Sequence, residues 1–220
     1  PAFVVFGNHD PLSGWAATLE WPDSVYFFPG DNVQCIPLSK GDEVYAQVYG
    51  ISHARPNLKE NLALRFRANG ERGLHIALLH TNAGGNAGHE AYAPCSLDDL
   101  LQAGMDYWAL GHIHARSTLR AASPAIVYPG CSQAAHINEA GAKGCILATL
   151  ESGKDPEIKF VPVDVVRYEE VRLDVSGCSN LDEIRSLIIT KCRETAKNSD
   201  NRTMIIRLSL EGRTDLNSEL

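Results

Sequence analysis

An α/β sandwich followed by the start of a small α+β domain is the fold this sequence predicts, on three observations. Short apolar segments alternate with helical patterns through residue 168, several such segments run straight into Asn or His, and past that point the texture becomes that of half-exposed strands around one amphipathic helix. The predicted domains are therefore residues 1–168 and 169–220.

The chain opens on Pro1-Ala2-Phe3-Val4-Val5-Phe6, an unbroken apolar run expected to form a fully buried strand of a parallel sheet. Neither a start Met nor a leader precedes it, so the sequence is expected to be an internal piece. Further buried strands are predicted at residues 25–28, 43–51, 74–79, 107–110, 125–128, 144–150 and 158–165. Ser96 begins a helix, because its hydroxyl can cap the first turn and Asp99 can reach back in a capping box. Beyond residue 170, Val171, Leu173 and Val175 alternate with polar neighbours. Asn180 then caps a helix whose inward stripe is Leu181, Ile184, Leu187, Ile188 and Cys192. Ile206, Leu208 and Leu210 alternate again and complete a β-α-β unit.

At 44% apolar, 21% charged and 7% aromatic over 220 residues, the composition is that of a folded protein with a real core. No apolar run approaches the ~18 residues of a bilayer helix, so no membrane span is expected. The net charge of -7 excludes bulk attraction to nucleic acid as the organising force. Local clusters such as Arg55, Lys59, Arg65, Arg67 and Arg72 can still contact a phosphate backbone. The six cysteines stand far apart with no Cys-x-x-Cys pair, which favours reduced thiols and a cytoplasmic protein over disulfides or a zinc ribbon.

Three strands deliver metal-binding side chains. Residues 2–6 lead to Gly7-Asn8-His9-Asp10, residues 76–79 to His80, and residues 107–110 to Gly111-His112-Ile113-His114. Residues beyond the carboxyl ends of parallel strands gather in one crevice. If these strands are neighbours, Asn8, His9, His80, His112 and His114 converge, and imidazoles with an amide oxygen suit Mn, Fe or Zn rather than calcium. The glycine-rich run 81–89 lacks the Gly-Lys-Ser/Thr ending of a phosphate-binding loop, so it is expected to form the rim of the site. His89 and Tyr92 are candidate substrate contacts there. His136, close to Asn138 and Glu139, is a further candidate. His53 and His75 are assigned structural roles.

Gly7-Asn8-His9-Asp10, His80 and Gly111-His112-Ile113-His114 resemble the last three of the five sequence blocks of the calcineurin-like metallophosphoesterases. Tyr49-Gly50-Ile51-Ser52, Leu78-Leu79-His80-Thr81-Asn82 and Tyr128-Pro129-Gly130 look like the DNA-repair exonuclease branch, the SbcD and YhaO type. The resemblance implies a four-layer metallophosphoesterase sandwich, here partial, with a capping domain beginning near residue 169. It also implies two divalent ions, most simply Mn, with Asn8, His80 and His112 binding the second ion and His114 the first. His9 would be catalytic and Asp10 would hold its loop.

The same resemblance implies DNA as substrate, an SbcC-like coiled-coil ATPase as partner and a possible homodimer. Its first two blocks, Asp-x-His and Gly-Asp-x-x-Asp, are not among these 220 residues, and Gly30-Asp31-Asn32 has no second Asp in place. The chain alone is therefore expected to bind metal poorly and to be inactive. A phosphomonoesterase or cyclic-nucleotide phosphodiesterase on the same scaffold, and a non-catalytic scaffold subunit, are the alternative readings.

Overall fold

The computed structural model describes residues 1–14, 18–85, 92–214 and 216. Two compact units divide the chain: residues 1–130 with 146–160, and residues 131–145 with 161–220. Among the described residues, no helix is long and apolar enough to cross a membrane.

The first unit is mixed α/β, as the sequence predicts. Strands β1 (Ala2–Val4) and β2 (Val25–Phe27) pair in parallel as a two-stranded sheet. A six-stranded sheet follows, built from β3 (Gln34–Lys40), β4 (Glu43–Ile51), β5 (Leu74–His80), β6 (Tyr107–Gly111), β7 (Ser117–Arg120) and β8 (Ala125–Tyr128) in the order β3-β4-β5-β6-β8-β7. The central β4, β5, β6 and β8 run parallel, while β3 and β7 are antiparallel edges.

Alternation along the central strands loads both faces of that sheet. Ala77, Leu79, Trp108, Leu110, Ile126 and Tyr128 enter one core, with Leu62, Phe66 and Leu100 across from them. Tyr107, Ala125 and Val127 point the other way and pack with Ile146, Ala148, Leu150 and Ile158. Ile146 and Ala148 lie on β9 (Gly144–Thr149), with Leu150 just past its end, and Ile158 lies on β10 (Glu157–Pro162), which pairs with β9. Burial on both faces is why the parallel strands look continuously apolar in sequence. Short helical elements cover the first face: a 3-10 turn at Leu62–Arg65 and α1 (Leu97–Leu101). The Ser96 hydroxyl accepts from Asp99 N–H and the Asp99 carboxylate from Ser96 N–H, which is the predicted capping box.

Three expectations are corrected here. The opening strand is only half-buried, with Ala2 exposed, because β1 has one hydrogen-bonded neighbour among the described residues. Both antiparallel edge strands escaped the sequence reading. Pro37 sits in β3, where an edge tolerates a missing N–H, and β7 is polar and half-exposed. The last predicted strand of this domain stops at Pro162 rather than reaching residue 165.

In the second unit, β11 (Val166–Asp174) and β12 (Thr203–Glu211) are parallel and joined by α2 (Leu181–Lys197), the β-α-β unit the alternation predicts. Asn180 caps α2 by accepting from Glu183 N–H at 3.0 Å. Ile184 is buried with Val175, Cys178 and Leu216, and Ile188 packs against them. The predicted stripe is too wide, however: Leu181 and Leu187 are exposed, since a two-stranded sheet covers only a narrow band of the helix.

Candidate metal centre

Histidines meet at the carboxyl ends of the parallel strands. His80 is the last residue of β5, and His112 follows β6, the adjacent strand, whose Gly111 is the register partner of His80. Their rings lie 5.2 Å apart, edge to face. The Asn8 loop arrives from β1, which belongs to the separate two-stranded sheet, so convergence does not require the three strands to be neighbours in one sheet. Asn8 Oδ1 nevertheless stands 2.8 Å from His80 Nε2. A cleft of about 960 Å³ lined by Glu43, Tyr45, Glu71 and Leu74 lies at the amino ends of β4 and β5, the end opposite these groups. The α/β rule places ligands at the carboxyl ends, and that cleft carries none of the histidines.

Glycine makes room for the cluster. A Cβ on Gly7 would fall 2.4 Å from His80 Cε1, and one on Gly111 3.1 Å from His80 Nδ1. The His80 ring therefore occupies space that both glycines leave open. Directly after Gly111, His112 adopts φ of 100°, a conformation a β-carbon disfavours. Such strain persists only where surrounding structure enforces it, and it concentrates at functional sites.

The Asn8 loop is closed by Asp10, whose Oδ1 accepts from Gly7 N–H at 2.9 Å. Asn8 is buried, whereas His9 and Asp10 at the loop tip are exposed. His114 is also exposed, two residues past His112. Burial first, then the neighbouring rings of His53, His112, His9 and His114, push the His80 pKa down to about 3. Its ring is neutral at physiological pH, the state in which an imidazole nitrogen can ligate. Asn8 Oδ1 can only accept, so His80 Nε2 donates to it. With the ring proton moved to Nδ1, a bare imidazole nitrogen and an amide oxygen stand side by side, with glycines clearing the space beside them, and that pair fits a borderline divalent cation.

Around the rim, the Tyr92 ring meets His112 at 5.7 Å, nearly perpendicular, and Lys59 Nζ lies 4.8 Å above the Tyr92 ring. His89 lies outside the described residues. His136 belongs to the second unit, where it is exposed, with Nε2 3.9 Å from Glu139 Oε1. Of the basic residues offered for DNA, Arg65 is closed on Glu60 at 2.6 Å and Arg67 donates to the Phe66 carbonyl.

The sequence reading set His53 aside, yet its ring sits beside His80, with centroids 5.1 Å apart. The missed signal is positional. His53 follows the carboxyl end of β4, just as His80 ends β5 and His112 follows β6, and these strands are consecutive in the sheet.

Comparison with known proteins bears on the chain as a whole. Residues 168–220 match the family profile described as the middle domain of metallophosphoesterase YhaO. The chain is 37% identical over 210 residues to the uncharacterized metallophosphoesterase YhaO of Bacillus subtilis, an alignment covering 96% of this chain and 51% of that one. It is 29% identical over 230 residues to the DNA double-strand break repair protein Mre11 of Sulfurisphaera tokodaii, covering 97% and 54%. The chain thus spans about half the length of the curated relatives it matches. With the mixed α/β fold and the strand-borne Asn-His motifs, these similarities establish that the chain belongs to the metallophosphoesterases, in the branch that includes YhaO.

Proposed function

We propose that this chain contributes metal ligands and an acid to a two-metal phosphodiesterase that degrades DNA, with Mn as the simplest ion. The observation that carries the reading is the approach of Asn8 Oδ1 to His80 Nε2 across 72 residues of sequence. Two adjacent polar atoms, one on a ring held neutral, make a ligand pair.

In this reading Asn8, His80 and His112 hold one ion and His114 the other. Divalent ions, when bound, supply positive charge to a phosphate and make a water nucleophilic. The chain's own residues do the rest. Asp10 fixes the Asn8-His9 turn through Gly7 N–H, so that His9 stands exposed at the tip. From there its imidazolium delivers a proton to the departing sugar oxygen, a contribution typically ~10²–10⁴-fold. Tyr92, edge-on to His112, and Lys59 above its ring offer an aromatic ring and a positive charge to a nucleotide at the rim.

Similarity to Mre11, which is named for DNA double-strand break repair, supports DNA as the substrate. An SbcC-like ATPase partner and a cytoplasmic location belong to the same proposal. The test compares hydrolysis of linear duplex DNA with that of p-nitrophenyl phosphate by the full-length protein in Mn. Faster turnover of DNA is expected. Preference for the small ester would replace this reading with a phosphomonoesterase on the same scaffold.

A further inference from the structure

His53 makes four contacts that together tie the Asn8 loop to His80. Its backbone N–H donates to the Phe6 carbonyl at 2.9 Å, and its carbonyl accepts from Leu12 N–H at 3.0 Å. Those two bonds bracket the 7–10 segment at both ends. On its side chain, Nε2 stands 2.8 Å from the His80 carbonyl, and the ring lies edge-on to the His80 ring at 5.1 Å. A carbonyl can only accept, so Nε2 carries the proton.

The residue is 0% exposed, and its Nδ1 has no hydrogen-bond partner among the described residues. A buried acceptor without a donor costs about 1–3 kcal/mol. An apolar side chain would escape that cost, so stability alone does not call for a histidine here. What the imidazole adds is a donor long enough to reach the His80 peptide. The backbone bonds, by contrast, are open to any residue except proline on the N–H side.

We infer that His53 is a positioning residue that fixes His80 against the Asn8 loop, so that Asn8 Oδ1 and His80 Nε2 are set in place before an ion arrives. This rests on the reading of Asn8 and His80 as metal ligands. Groups hydrogen-bonded behind metal ligands typically contribute about 10–100-fold in affinity.

The test is calorimetric titration of the full-length protein with Mn, alongside thermal unfolding. His53→Leu is expected to weaken Mn binding about 10-fold or more. His53→Gln, whose amide can reach the same carbonyl, should restore most of that loss. Wild-type affinity in a folded His53→Leu protein overturns the inference. So does equal weakening in the Leu and Gln variants, which would show the ring acting through packing alone.

Asn8→Ala separates this failure from failure of the metal reading. If Asn8→Ala loses Mn binding while His53→Leu does not, only the positioning role falls. If Asn8→Ala also binds as wild type, both fall. Should His53→Leu not fold, nitrogen NMR of the wild type decides, because a proton found on Nδ1 instead of Nε2 overturns the donation on which the role depends.

Discussion

A methyl group on Gly7 would lie 2.4 Å from Cε1 of the His80 ring, so these two residues fit together only because the first has no side chain. Gly7→Ala must therefore push the ring or the loop aside, at a cost of about 1–3 kcal/mol for overpacking. Mn affinity of the full-length protein is expected to fall, since Asn8 and His80 would no longer meet. Unchanged affinity by calorimetry would show that the ring does not need this space.

His9 stands next to Asn8 but at the exposed tip of the turn, and its proposed role is proton delivery rather than ligation. His9→Gln is expected to leave Mn binding near wild type while lowering the maximal rate of DNA hydrolysis by ~10²–10⁴-fold. Rates at saturating Mn, paired with titrations of the same sample, check this. A parallel loss of metal binding would make His9 a ligand.

The segment leaving β5 after His80 is anchored from beneath. Tyr128, fully buried, donates its hydroxyl to the Thr81 carbonyl at 2.7 Å and accepts from Ala83 N–H at 2.9 Å. Tyr128→Phe leaves that N–H buried without its acceptor, and a loss of about 1–3 kcal/mol is expected. Urea unfolding monitored by circular dichroism measures it, and a change below about 0.5 kcal/mol would mean that the hydroxyl is not what holds this segment.

In the second unit, Asp164 is clasped by two arginines. Arg167 Nε donates to Oδ2 at 2.8 Å and its second nitrogen to Oδ1 at 3.0 Å, while Arg202 Nε lies 2.9 Å from Oδ1. Burial by itself raises this carboxyl's pKa, but the Arg167 hydrogen bonds and both positive charges outweigh it and hold the group below the ordinary 3.8. The unfolded chain thus takes up the proton at a higher pH than the native one. The stabilisation is fully present well above pH 3.8 and is lost as pH falls through the lower native value.

Asp164→Asn should flatten that acid limb of stability. At neutral pH it should cost about 3 kcal/mol or more, because two arginines lose the charge they surround. Thermal unfolding from pH 7 down to pH 2.5 reads both effects, and an unaltered acid limb would assign the titration to other carboxylates.

Local rules were enough for much of the fold. Ser96 with Asp99 and Asn180 with Glu183 announce helix starts, because capping geometry depends on residues three apart. The apolar runs of β4, β5, β6 and β8 announce buried strands, since a parallel sheet packed on both faces needs such runs. Half-exposed edges such as β3 and β7 give no comparable signal, as their burial depends on what lies beside them. The width of the α2 stripe was overread for the same reason, because a helix shows which residues are apolar but not how much sheet awaits them.

By itself, then, the sequence determined the candidates for chemistry: His80 ends a strand and Asn8, His9, His112 and His114 follow one, and side-chain type and strand register are local properties. Tertiary structure alone decided that Asn8 crosses from a separate sheet to reach His80, that Gly7 and Gly111 clear the space for its ring, and that His53 stands behind it. Distances between residues far apart in the chain are set by packing of whole sheets, and no pattern within one segment encodes them.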